Sequence, residues 1–171
     1  MHLNIEIKAK SQRHEAIRQV LTDHQAEPKG TDRQHDTYFH CTNGRLKLRQ
    51  GNIEKSLIFY KRSDQEGPKA SHVNLYHPQD DQALRELLIE AHGIWKEVIK
   101  SREIYFVENV KFHLDTVEGL GTFVEIEAID KDGSIGEEKL LEQCTYYMKA
   151  FGIGEEDLLA TSYSDMVEGN K

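Results

Sequence analysis

Residues 110–130 of this 171-residue chain read VKFHLDTVEGLGTFVEIEAID. Two strand-like runs meet there at a Glu-Gly-Leu-Gly turn. On the second run Glu125 and Glu127 share one face while Val124 and Ile126 take the other, because successive strand side chains alternate. The two carboxylates then stand about 7 Å apart along the strand. Adjacent acids repel each other unless a cation or basic side chains lie between them. The pair therefore asks for a metal ion or a basic neighbour.

Basic residues recur on the other strands. Residues 3–10 alternate Ile5, Ile7 and Ala9 with Asn4, Glu6, Lys8 and Lys10. Arg45, Lys47 and Arg49 lie opposite Leu46 and Leu48. A strand over 54–62 brings Lys61, and a long strand over 94–108 brings Lys100 and Arg102. Lys111, His113 and Asp115 lie opposite Val110, Phe112 and Leu114. An antiparallel sheet often turns such a face to water. Three cations on the short run Arg45–Arg49 nevertheless repel one another unless an anion or facing carboxylates compensate. A sheet of about eight strands tends to curl and close. With its charged face inside it makes a polar channel, suited to a polyphosphate with Mg2+ or Mn2+.

The elements that position these residues follow from pattern. Ser11 caps a helix running to about Asp23, with Ile17, Val20 and Leu21 as its stripe. A strand over 35–41 and a strand over 45–50 flank the hairpin signal Asn43-Gly44. Gly51-Asn52 turns into the strand over 54–62. Residues 63–69, with Gly67-Pro68, read as a loop. A strand over 72–77 precedes a helix over 78–91 that buries Leu84, Leu87 and Leu88. A helix over 135–151 turns Leu140, Leu141, Cys144, Tyr147 and Met148 inward, and a short helix from Glu155 leads to a polar tail. Hairpin links dominate, so the class is antiparallel α+β, expected as one domain over 1–171.

Composition bounds the rest. Net charge is -8, with 30% charged residues, which disfavours general nucleic-acid or membrane-surface binding. No apolar run reaches membrane-spanning length, and the N-terminus lacks a secretory pattern. Two isolated cysteines, Cys41 and Cys144, make neither a disulfide framework nor a zinc site. A cytoplasmic protein is expected. No pattern sets the oligomeric state; a homodimer is the ordinary expectation.

In combination these residues resemble the CYTH domain of the triphosphate tunnel metalloenzymes, in its bacterial class IV adenylyl cyclase-like branch. The matching pieces are Asn4–Lys8 against a Glu-x-Glu-x-Lys signature, Asp36–Phe39, Gly44–Arg49, Tyr60-Lys61, Lys100–Arg102, His113–Asp115 with Val117–Gly121, Phe123–Glu127 and Tyr163–Asp165. They keep the family's order and span almost the whole chain. The resemblance implies a closed eight-stranded antiparallel tunnel with a charged interior and helices outside. It implies that Glu6, Glu125, Glu127 and Asp115 hold a divalent metal, Mg2+ or Mn2+. It implies that Lys8, Arg45, Lys47, Arg49, Lys61, Lys100, Arg102 and Lys111 grip a triphosphate, with Lys8, Glu6 and Arg102 in the catalytic set. One departure is plain: the first signature Glu is Asn4 here, which can ligate a hard cation but brings no charge.

The implied substrates are ATP, inorganic triphosphate or thiamine triphosphate, with no nucleic-acid or membrane partner. The reaction stays open between a triphosphatase and an adenylyl cyclase releasing pyrophosphate. The alternative is a non-catalytic nucleotide or polyphosphate binder. Most of the nine histidines have no ligand spacing and read as surface or loop residues; His113 is the exception, placed where it could touch phosphate. Asp36 serves either the site or a strand neighbour. Tyr38 and Tyr163 pack or cap the tunnel, and Trp95 is a packing anchor.

Overall fold

The strands of this chain turn one face to a common interior, and helices cover much of the outer face. The computed structural model describes residues 2–61 and 65–167. The order is β1 (His2–Lys10), α1 (His14–Asp23), β2 (Glu27–Phe39), β3 (Arg45–Gln50), β4 (Lys55–Lys61) and β5 (Lys69–Tyr76). Then come α2 (Asp81–His92), β6 (Ile94–Val107), β7 (Val110–Val117), β8 (Gly121–Asp130), α3 (Glu137–Ala150) and α4 (Tyr163–Met166). A single 3-10 turn, Glu155–Asp157, stands where a short helix was expected. The eight strands close into a barrel in the order β1-β5-β4-β3-β2-β6-β7-β8. All neighbouring pairs are antiparallel.

The apolar faces point outward and the helices cover them. Ile5 and Ile7 of β1, Phe112 and Leu114 of β7 and Val124 and Ile126 of β8 pack against Ile17 and Leu21 of α1 and Leu140, Cys144 and Tyr147 of α3. The Phe112 ring lies 4.7 Å from that of Tyr147 and 5.5 Å from that of Phe151. On the far side Phe39, Leu46 and Leu48 pack against Leu84 and Leu88 of α2. Burying these faces drives closure, since each large apolar side chain contributes about 1.5–3 kcal/mol. It leaves the charged faces inside.

Several expectations need correction. Leu87 and Leu141 were expected inward and are 62% and 44% exposed. Leu84 and Leu88, and Leu140, Cys144 and Tyr147, recur at helical spacing, and Leu87 and Leu141 fall beside those stripes. Strand β2 begins at Glu27 rather than 35; its first half is polar, contains Pro28 and Gly30, and is recruited by pairing with β6 across a register shift. Strand β5 starts at Lys69, three residues before the expected 72. Residues 63 and 64 of the expected loop, Arg62 of the expected strand and the end of the polar tail lie outside the described residues. Among the described residues no helix is long and apolar enough to cross a membrane.

Candidate active site

Alternation along the strands carries the charged side chains into a cavity of about 550 Å³. Strand β1 contributes Asn4, Glu6 and Lys8; β3 contributes Lys47 and Arg49; β6 contributes Lys100 and Arg102. Strand β7 adds Lys111 and His113, and β8 adds Glu125 and Glu127. Register then makes cross-strand neighbours. Lys8 stands opposite Glu125 and Glu6 opposite Glu127. His113 and Lys111 stand opposite the same two glutamates from the other side.

Two buried aspartates organise the cations. Both oxygens of Asp36 accept from Arg49, at 2.9 and 2.8 Å, and Oδ2 also accepts from Lys100 at 2.7 Å. Lys47 lies 3.7 Å away. Burial alone would raise the Asp36 pKa; Arg49, Lys100 and Lys47 outweigh it and hold the carboxyl well below its usual range. Asp36 thus serves the site by fixing its cations. Lys100 pays in the other direction: burial, only partly offset by Asp36, pushes its ammonium down to about 7, with Arg49 and Arg102 adding to the fall.

Asp115 has a similar role. It accepts from Arg102 through two 2.7 Å hydrogen bonds and from the Tyr163 hydroxyl at 2.8 Å. His113, Asp115 and Glu125 offer ligand atoms within 4.8 Å of one another. Both Asp115 oxygens are already committed, however, and its charge is matched by a guanidinium. Asp115 therefore orients Arg102, while its carboxylate stays within reach of the His113 and Glu125 ligand atoms.

The glutamate pair is polarised by its surroundings. Glu125 has Lys8 at 3.7 Å and Arg102 at 3.5 Å. Burial would raise its pKa, but Lys8, His113 and Arg102 hold it well below its usual range. Glu127 is less compensated. Burial, with Glu6 and Glu125 adding to it against Lys111, pushes it up to about 7. The Asn4 side-chain amide donates to it. His113 is pushed down to about 4 by burial and by Arg102, so its ring is neutral at pH 7.

This acid-lined side fits a divalent cation. Glu6, Glu125 and Glu127 converge there, and the buried Asn4 Oδ1 and both His113 ring nitrogens have no hydrogen-bond partner among the described residues. Unsatisfied buried polar atoms are rare in folded proteins. The carboxylate and carbonyl oxygens are the donor type that hard cations take.

Two expected residues fall elsewhere. Arg45 pairs with Asp165 at 2.8 Å and stacks on Trp95 at 4.6 Å. Lys61 is exposed, because Ser56, Ile58 and Tyr60 take the inward positions of β4. Both border a second cavity near the β2–β3 loop. The aromatic expectations hold: Tyr38 and Trp95 pack edge to face at 6.2 Å, and Tyr163, on α4, lies under Lys8 at 4.0 Å.

The sequence reading missed Glu54. It leaves the β3–β4 turn and enters the cavity, where it pairs with Lys111, lies 3.6 Å from Arg49 and accepts from Gln34 at 3.0 Å. Buried Asp32 holds this turn by accepting from the Ile53 and Glu54 backbone N–H groups at 2.8 and 3.0 Å. A Cβ at Gly51 would lie 2.5 Å from the Asp32 carboxylate, so glycine is required there. The only local sequence signal was the Gly51-Asn52 turn, which marks a bend without saying which way the next side chain points.

Comparison with known proteins agrees with this fold. A Methanocaldococcus jannaschii protein named as a candidate adenylate cyclase is 38% identical over 68 residues, a match that spans 39% of this chain and 38% of that protein. A solved structure from Pyrococcus horikoshii superposes with a TM-score of 0.81 at 25% identity, covering 98% of this chain and 100% of that one. A Hippeastrum candidate adenylyl cyclase, described as having a dominant triphosphatase activity, shares the fold at a TM-score of 0.62 and 20% identity, over 97% and 93% of the two chains. With residues 2–163 matching its pattern from the first strand to the tyrosine under Lys8, the chain belongs to the CYTH domain family.

Proposed function

We propose that this chain is an enzyme that cleaves a triphosphate inside the tunnel, hydrolysis being the simplest reaction its residues support. One observation carries the reading: Lys47, Arg49, Lys100, Arg102 and Lys111 share one cavity with Glu6, Glu125 and Glu127. Phosphoryl transfer needs alignment and charge stabilisation more than covalent help from the protein. Arg49 and Arg102 are already held by Asp36 and Asp115, so they meet phosphate oxygens without reorganising.

Glu6, Glu125 and Glu127, with Asn4, would hold the divalent cation, Mg2+ or Mn2+. When bound it supplies charge neutralisation on the phosphate oxygens. Lys8, beside Glu125 and over Tyr163, holds charge between the acid and cation sides.

A second reading, cyclisation of ATP, is favoured by the opposite wall. Ile58, Tyr60, Val73 and Leu75 line the β4–β5 side with apolar surface. That is the kind of wall that takes the organic part of a nucleotide. The test is product analysis with ATP, inorganic triphosphate and thiamine triphosphate, each with Mg2+ or Mn2+. Orthophosphate as the released product supports hydrolysis. Cyclic AMP with pyrophosphate supports the cyclase. Polyphosphate binding without turnover of any of the three would sink the enzyme reading and leave a binding protein.

A further inference from the structure

We propose that His113 is itself a ligand of the divalent cation, so that this tunnel holds a mixed nitrogen–oxygen cation seat favouring first-row transition ions over Mg2+. The inference deepens the proposed function and rests on its reading of the acid-lined side as a cation site.

The geometry comes first. His113 sits on the inward face of β7, directly opposite Glu125 on β8. It is 3% exposed. Its Nδ1 lies 3.5 Å from Glu125 Oε2 and its Nε2 lies 4.0 Å from Glu127 Oε2. The ring thus stands between the two carboxylates, too far from either for a good hydrogen bond. Burying a polar ring without a partner is costly.

The orphaned atoms are also grouped. Among the described residues, four buried side-chain atoms lack a hydrogen-bond partner: Asn4 Oδ1, Gln34 Oε1 and the two His113 nitrogens. Three of these belong to residues beside Glu127, since Asn4 donates its amide N–H to that same carboxylate. A phosphate oxygen placed among Glu125, Glu127 and Glu6 would meet like charge. A cation there is attracted by all three acids and uses the lone pairs that now have no partner.

The chemistry then sets the roles. Nε2 faces the ion beside Glu127, while Nδ1–H turns toward Glu125, whose charge Lys8 and Arg102 also stabilise. A metal-bound histidine commonly donates its other N–H to a carboxylate in this way. Imidazole adds affinity for transition ions, whereas Mg2+ prefers oxygen donors alone. His113 would offset the charge lost where Asn4 stands in place of an acid.

The test is the binding of Mn2+ to the full chain without nucleotide, followed by calorimetry and by pulsed electron paramagnetic resonance of the bound ion. The expected result is Mn2+ binding about tenfold tighter than Mg2+, with nitrogen coupling in the spectrum. His113→Gln should abolish that coupling and bring Mn2+ affinity down to the Mg2+ level. His2→Gln and His77→Gln, at the other histidines lining the cavity, should keep the coupling. Tight Mn2+ binding without nitrogen coupling in the unaltered protein overturns the role of His113 and leaves the cation site standing. Absence of any Mn2+ or Mg2+ binding overturns both. The spectrum of the unaltered protein decides the matter even if the His113 variant does not fold.

Discussion

Asp115 and Arg102 face each other across β7 and β6, and two 2.7 Å hydrogen bonds lock the guanidinium to the carboxylate. The pair is buried, with Arg102 3% and Asp115 0% exposed. Removing one partner of such a pair leaves an uncompensated charge and costs about 3–5 kcal/mol. Asp115→Asn should therefore lower stability by that order in urea unfolding and weaken triphosphate binding, because Arg102 loses its aim. If orienting Arg102 is its role, divalent cation affinity should fall by about tenfold at most, the low end for a residue that acts beside the cation's ligands. A large loss of cation affinity with triphosphate binding intact would restore Asp115 to the metal site.

Glu54 occupies the cations that a phosphate would use. Its carboxylate pairs with Lys111 and approaches Arg49, and these two cations, against burial, hold it ionised far into acid. A triphosphate must displace or share these partners. Glu54→Gln should tighten inorganic triphosphate binding about tenfold, the size of one charge-assisted hydrogen bond. Calorimetry at fixed pH reads this directly. Weaker binding in the variant would show that Glu54 supports the site through its turn instead of competing for it.

Lys100 links binding to protons. Burial pushes its ammonium down to about 7. A bound triphosphate favours the charged form. Below pH 7 Lys100 is charged before and after binding; above pH 7 each binding event must take up a proton. Affinity should then fall as pH rises from 7, and heats measured in buffers of different ionisation enthalpy should show the uptake. Lys100→Met should remove it. The empty protein should behave oppositely: between about pH 7 and 10 the unfolded chain holds more protons at this residue, so stability rises with pH there.

Much of this architecture was legible because both strand faces carried information. Arg45–Arg49 and Val110–Asp115 alternate charge with aliphatic side chains, so the same period that marked strands also marked an inside and an outside. Strand β4 was different. Leu57 and Phe59 alternate with Ile58 and Tyr60, so both faces are apolar and the period says nothing about direction. The Asp32–Glu54 arrangement was hidden for another reason. The β2 segment that holds Asp32 has no apolar alternation, and a turn residue has no periodic face at all.

Lys61 tests that point of direction. With Tyr60 turned inward, Lys61 points away from the cavity, whereas Lys47 lies inside it, 3.7 Å from Asp36. Lys47→Ala should weaken inorganic triphosphate binding roughly ten- to hundredfold, as expected for one lost charge-assisted contact. Lys61→Ala should change it by less than about twofold, the scale of an exposed charge. Equal losses for the two variants would mean that β4 presents Lys61 to the ligand after all.

Asn4 and Glu127 set how the cation site responds to pH. Burial and the neighbouring Glu6 and Glu125 push Glu127 up to about 7, and the Asn4 amide donates to it. Below pH 7 a binding cation must displace the proton, so affinity should fall up to about tenfold per pH unit on acidification and level off above pH 7. The empty fold should gain from the same proton: between about pH 4 and 7 the folded state binds more protons than the unfolded one, so stability falls as pH rises across that window. Asn4→Glu adds a carboxylate and removes the donor. It should raise Mg2+ and Mn2+ affinity about tenfold at pH 8, because ligand charge sets the affinity of hard cations. It should also move the break in the pH profile upward, since one more acid stands beside Glu127. A metal titration unchanged by Asn4→Glu across this range would mean that Asn4 does not face the ion.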